Sequence, residues 1–223
     1  VIRPASYCAN WALKPTYGAL NRGERLGYSQ SAIGVHAGSP VDMWRVAMQI
    51  AQRAGGDPGH PGLFGPLETP APVKPQQLVV METSGWKDLA ASTREAFERV
   101  LEALRAAGVT IVRRGDSKLV ESFERGIASL KAINSEICAF ELRWSLENLV
   151  EQHPGKLSAH ALKKLEQGRK MNLDDFRQRL LEREDARRRL AAIAQLGDAL
   201  ISLSSPGPAP INDVDGPRPT GDA

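Results

Sequence analysis

Three kinds of hydrophobic patterning follow one another along this chain, and each predicts a different element. Over residues 40–54, Met43, Val46, Ala47 and Ile50 recur every three or four residues, the spacing of one helix face. Ser39 is placed to cap that helix, Pro40 suits its first turn, and Asp42 favours the positive end of its dipole. Gly55-Gly56 stops it. The run QQLVVME (76–82) has no period; it is a short, continuous apolar stretch and predicts a buried strand. A helical period returns with Ala96, Phe97, Val100, Leu101 and Leu104 inward, opened by a capping box at Ser92-Thr93-Arg94-Glu95 and closed by Gly108. VTIVRR (109–114) is the next strand. Strand, helix and strand over this length form a βαβ unit with parallel strands.

From Ser117 the pattern is helical for a long way. Leu119, Val120, Phe123, Ile127, Leu130, Ile133, Ile137, Phe140 and Leu142 predict one long helix, broken at Pro154-Gly155. A shorter helix is expected over 158–167. Asn172 with Asp175 opens another long one, and DALISLS (198–204) is a last strand. Pattern fails in three places. Residues 1–38 carry no helical period and read as loops with short strands; 55–75 and 204–223 are dominated by Pro and Gly. There is no internal repeat. The expected fold is α/β and helix-rich, an incomplete part of an α/β/α sandwich with a mixed sheet, because three strands are few for so many helices. One partial domain covers 1–223: a first segment at 1–66, then over 67–223 the βαβ unit, a helical excursion and the returning strand.

Composition narrows the function. The 223 residues are 42% hydrophobic and 25% charged, ordinary for a globular protein. The net charge of +3 mixes 29 bases with 26 acids, which argues against nucleic acid as a partner. No apolar run is long enough to span a bilayer. Cys8 and Cys138 lie far apart, without a CxxC, and read as reduced thiols of a cytoplasmic protein. His36, His60, His153 and His160 lack metal-ligand spacing. Cys8 with His36 or His60 could form a nucleophile–base pair, but unrelated side chains are the simpler reading. Gly18, Gly23 and Gly27 do not form a dinucleotide-binding GxGxxG. The REDARRR run (183–189) carries both signs at helical spacing and predicts a solvated, ion-paired face, with Leu180, Leu181, Leu190, Ile193 and Leu196 on the apolar side.

Three blocks in order carry a family resemblance. They are Arg3-Pro4-Ala5 with Lys14-Pro15-Thr16-Tyr17-Gly18; Ser31-Ala32-Ile33-Gly34 with Ser39-Pro40-Val41-Asp42; and Gly56-Asp57-Pro58. The strand QQLVVME, the stretch DALISLSSPGPAP and the closing Thr220-Gly221-Asp222 add to them. On these residues the chain resembles the amidase signature family of serine amidohydrolases. The departure is Ala9-Asn10-Trp11-Ala12, where that family has small residues and a glycine.

The resemblance implies hydrolysis of the C–N bond of a small carboxylic amide, with no cofactor and no metal. A serine attacks, a lysine acting through a second serine in a cis peptide bond relays the proton, and backbone N–H groups hold the oxyanion. It places the nucleophile just ahead of Val1 and the rest of the triad farther upstream, so this chain is expected to be a middle fragment, inactive alone, with no catalytic residue of its own. Arg3, Tyr7 and Cys8 are the expected substrate-binding residues. Arg3 would meet a substrate carboxylate or brace the nucleophile loop. Lys14 is expected to be structural. The expected partner is a small-molecule amide in the full-length parent, with no nucleic acid and no membrane; a homo-oligomer is compatible. Two alternatives stay open: a non-catalytic fragment that associates through an unfinished sheet edge, and the amide-hydrolysing subunit of an amidotransferase.

Overall fold

The computed structural model describes residues 2–23 and 28–209. Val1, Gly27 and residues 210–223, with the irregular tail beyond 209 and Thr220-Gly221-Asp222, lie outside the described residues. The chain divides into two compact units. Unit 1 is Val1–Gly23, Ala32–Glu124 and Ala192–Ala223; unit 2 is Glu24–Ser31 and Arg125–Ala191.

Unit 1 holds every strand described. It runs through α1 (Ile2–Tyr7), β1 (Trp11–Leu13), β2 (Val35–Ala37), α2 (Pro40–Ala54), β3 (Gln77–Val80), α3 (Ala91–Ala106), β4 (Thr110–Val112) and most of α4 (Lys118–Gly126). The chain returns for β5 (Ala199–Ile201). The sheet order is β4-β3-β5, all parallel, with Leu78 opposite Ile111 on one side and Ala199 on the other. Central β3 is covered on both faces: Leu78, Val79 and Val80 are buried, as a parallel sheet requires. Asp198 fixes the register of β5, because its Oδ2 accepts from the Gln76 and Gln77 N–H groups at 2.6 and 3.0 Å. These donors hold the Asp198 carboxyl below the usual range. β1 and β2 form a separate antiparallel pair, Trp11 opposite Ala37, and α2 packs on it.

The α2 cap is as the sequence predicts: the Asp42 N–H donates to Ser39 Oγ at 3.1 Å, and the Gly55 N–H closes the far end on the Ala51 carbonyl. Its buried face differs. Ala47, Met48 and Ala51 point inward, while Val46 is exposed. α3 also departs from expectation. It starts at Ala91, with no side-chain cap, so Ser92 lies inside the first turn rather than ahead of it. Tertiary bonds set this start: the Ala90 N–H donates to the Pro206 carbonyl at 2.9 Å, and Arg94 Nη2 to the Trp86 carbonyl at 2.9 Å. Leu101 is buried on α3, but Ala96 and Val100 are exposed.

The stretch expected to lack helix contains one. α1 is six residues long, with Pro4 in its first turn where no N–H is needed. It ends where Ala9 takes the left-handed conformation (φ 53°) and the Asn10 N–H returns to the Ala5 carbonyl at 2.9 Å. No glycine marks this turn, which is why the pattern hid it.

Unit 2 is helical: α5 (Leu130–Gln152), α6 (Ala159–Arg169) and α7 (Leu173–Ile193), the last ending in unit 1. The expected single helix from Ser117 is two, parted by a turn at 127–129. Gly126 weakens the helix there, and Arg189 Cδ packs 3.3 Å from where a Gly126 Cβ would stand. α5 and α6 lie in close contact, because Gly168 has no side chain to hold them off the Ala139 backbone. Ser158 caps α6 through the Ala161 N–H at 3.2 Å. Asn172 and Asp175 cap α7 reciprocally: Asn172 Oδ1 accepts from Asp175 N–H at 2.9 Å, and Asp175 Oδ2 from Asn172 N–H at 3.0 Å. α7 is laced by the expected pairs, Arg189–Asp185 at 2.6 Å and Arg187–Glu184 at 3.4 Å among them. Its apolar side is incomplete, for Leu181 and Leu190 are exposed.

Candidate functional site

In an open parallel sheet, ligands bind beyond the carboxyl ends of the strands, where the strand order reverses. Here the chain steps from β3 to β4 on one side and then crosses to β5 on the other. A cleft of about 590 Å³ lies wholly within unit 1, where α1, the first half of α3 and the segment that follows β5 come together. Ser6 and Tyr7 of α1 form one wall. Ser92, Thr93, Ala96, Phe97 and Val100 of α3 form the second. Leu203 and residues 207–209, which follow β5, complete it.

A polar network backs the α3 wall. Phe97 meets Trp86 edge to face, ring centroids 5.6 Å apart. The Arg94 and Arg113 guanidinium groups lie over the Trp86 ring at 5.5 and 6.0 Å. Arg113 bridges Glu82 at 2.5 Å and Glu98 at 2.9 Å. Burial works against its charge, but those hydrogen bonds outweigh it and raise its pKa. Glu124 is buried behind Glu82, its Oε1 accepting the Glu82 N–H at 2.5 Å and its Oε2 3.6 Å from Arg114. Burial pushes the Glu124 carboxyl up, against the pull of the Glu82 N–H and Arg114.

A second knot holds the Lys14-Pro15-Thr16-Tyr17-Gly18 block against Gly56-Asp57-Pro58. The Asp57 carboxylate accepts from the Arg22 N–H at 2.8 Å and from its Nε at 2.5 Å, and Arg22 Nη2 donates to the Tyr17 hydroxyl at 2.7 Å. The Arg22 N–H, and then its guanidinium, hold Asp57 below the usual range. His60 packs on the Tyr17 ring and sits where a Gly18 side chain would go, which explains a glycine at φ 75° there. Two of the three blocks singled out in the sequence therefore meet in space, and the contact is structural.

Of the three expected binding residues, the structure brings Tyr7 to the cleft. Arg3 and Cys8 are exposed on or beside α1 and are not among its lining. The helical period predicts Ala96, Phe97 and Val100 as core, whereas the structure places them on the α3 wall of the cleft.

One pair elsewhere imitates catalytic chemistry. In unit 2, Lys164 Nζ is 2.7 Å from Ser135 Oγ. The ammonium also donates to the Ser135 carbonyl and to Gln167 Oε1, each at 3.3 Å, so its three protons are engaged. It cross-braces α5 and α6. Among the described residues no group of three or more His, Cys, Asp or Glu side chains is arranged to hold a metal. Among the same residues no helix is long and apolar enough to cross a membrane.

The fold is a helix-rich α/β arrangement with a three-stranded parallel sheet and a cleft between α1, α3 and the segment after β5. The sequence model of the Amidase family matches residues 1–217, and the chain belongs to that family. Solved structures share the fold. A crystal structure of an amidase superposes with a TM-score of 0.73 at 21% identity, over 96% of this chain and 45% of that one. A vestigial protein complex bearing on the evolutionary origins of an s-triazine catabolic enzyme gives 0.67 at 21%, over 96% and 45%. The structure of 6-aminohexanoate cyclic dimer hydrolase complexed with substrate gives 0.62 at 19%, over 88% and 43%. The chain thus spans less than half the length of these relatives. No curated protein matches it.

Proposed function

We propose that this chain is the pocket-bearing part of an enzyme that hydrolyses the C–N bond of a carboxylic amide, acting through a Ser–cis-Ser–Lys triad that lies upstream of Val1. The observation that carries the reading is the position of Tyr7. It stands on the cleft wall at the end of α1, a short helix that begins soon after the slot that the family pattern gives the nucleophile. The serine would attack the amide carbonyl and form an acyl-enzyme as the amine leaves with the relayed proton; water would then release the acid. The chain's own part is to hold one side of the substrate and keep water from it. By itself the chain is inactive in this reading. Cys8 and Cys138, both free thiols, go with a cytoplasmic protein.

Two measurements test this. The coding sequence ahead of Val1 is expected to read serine preceded by glycines; a stop codon there opposes the reading. Ammonia release from simple amides is expected from a polypeptide extended upstream and absent from the chain alone. One observation favours a second reading. Among the described residues β4 and β5 each pair on one side only, so both present unpaired backbone groups that a partner strand could take. In that case the extended polypeptide would release no ammonia, and protection of the β4 or β5 amides from exchange would depend on a partner.

A further inference from the structure

The cleft lining has a distinctive chemistry. It contains hydroxyls and apolar groups, and no carboxylate, ammonium, guanidinium or imidazole. Two nearby guanidinium groups are turned to other partners: Arg94 to the Trp86 carbonyl, and Arg113 to Glu82 and Glu98. Nothing in the lining could neutralise an ionised ligand, and a charge that loses water there would lose it without compensation.

The polarity is also graded along α3. Ser92, Ala96 and Val100 are four residues apart and share one face of the helix, so the wall passes from a hydroxyl in the first turn to a methyl and then an isopropyl group. That run covers about 12 Å. Phe97 and Leu203 add apolar surface beside it. Ala96 and Val100 are exposed, although their spacing marks them as residues that favour cover. A polar head at the hydroxyl end and an apolar arm along Ala96 and Val100 match an amide with a hydrocarbon substituent.

Resting on the amide-hydrolase reading, we infer that this cleft takes the uncharged, apolar arm of the substrate, an alkyl chain or a single aromatic ring, and discriminates against amides whose arm is ionised. Chain length sets affinity until the α3 face is covered. Each methylene laid on the wall strengthens binding by up to about fourfold, the factor expected for full burial of one CH₂. Arms bearing a carboxylate or an ammonium group bind at least about tenfold more weakly than a neutral arm of the same length.

The test is binding to the 223-residue chain, with Ala, Val and Leu methyl groups labelled for NMR. The probes are acetamide, hexanamide and benzamide, then two charged amides, glycinamide and succinamate. Hexanamide and benzamide are expected to shift the Ala96, Val100 and Leu203 methyl signals and to bind at least about tenfold more tightly than acetamide or the charged pair. Val100→Glu should weaken hexanamide by about tenfold or more with the fold intact by circular dichroism, since Val100 is half exposed; Val100→Ser serves the same purpose if the glutamate variant does not fold. Equal affinity for charged and neutral arms overturns the inference. So does the absence of any shift at these methyls, or signals that move with protein concentration alone, which would mean that a second copy fills the cleft. The two readings fail separately. Apolar probes in the cleft with no hydrolysis by the extended polypeptide would leave the pocket and remove the hydrolase. Hydrolysis without probes at these methyls would do the reverse.

Discussion

Unit 1 buries Val79, Val80, Leu101 and Val120 completely, along a sheet whose central strand is paired on both sides. Unit 2 buries fewer apolar side chains, chiefly Ile133, Ile137 and Leu165; its helices also meet at Gly168, through the Lys164 cross-brace and by the stacked Phe140 and Phe176 rings, and α7 carries ion pairs along its surface. The cleft is cut into the first kind of structure. A binding wall must hold its shape against solvent, and a helix such as α3 that rests through Leu101 on the core does that better than exposed charge pairs, each worth little in water.

Substitutions sharpen this contrast when taken in order of size. Leu101→Ala in unit 1 should cost about 2–5 kcal/mol, because the residue has no exposed surface and its removal leaves a cavity under α3. Urea unfolding measures it; a loss under 1 kcal/mol would mean that the sheet does not rest on this helix. Gly168→Ala in unit 2 should cost about 1–3 kcal/mol, since the new methyl falls on the Ala139 carbonyl and α5 and α6 must part. An unchanged melting temperature would show that the two helices already have room.

The next effect depends on pH. A carboxyl raised in the folded state, as Glu124 is by burial, favours folding below its unfolded pKa, and that contribution is lost as pH rises through its folded one. Glu124→Gln keeps an acceptor for the Glu82 N–H and has no charge to bury. The variant should be at least as stable as the parent above about pH 6, and this advantage should vanish below about pH 4. Asp57 and Asp198 have the opposite sign. Their depressed carboxyls support unit 1 above the ordinary aspartate range and stop doing so in acid. Urea midpoints across pH 3–8 for parent and variant, a range spanning about the carboxylate values, separate the two terms.

Ala9→Gly should stabilise unit 1 by about 1 kcal/mol, because alanine is strained at positive φ. Loss of stability there would mean that the Ala9 side chain packs usefully. The smallest effect belongs to the surface of unit 2. Glu184→Gln should change stability by less than about 0.5 kcal/mol, and less still in high salt.

What could be read in advance was local. Ser39 and Asn172 announce their helices because a cap needs only the next three residues. The parallel pairing of β3 with β4 follows from chain length and handedness, and the structure has it. What the pattern hid was decided at long range. The start of α3 is set by the Pro206 carbonyl, over a hundred residues away. The break at 127–129 comes where Arg189 leans on Gly126. Val46, Ala96 and Val100 have core spacing yet are exposed, because periodicity shows that a face is apolar and not what covers it. The cleft was illegible for that reason: its wall looked like core.

The most direct test uses a fluorophosphonate, which phosphonylates an activated serine, with fluoride leaving, and ignores an ordinary one. Applied to a polypeptide extended upstream of Val1, it should leave its adduct, mapped by mass spectrometry, on the residue immediately before Val1, and the 223-residue chain alone should take up none. An adduct on Ser6, Ser135 or any other residue within the chain would place the nucleophile inside it and contradict the account.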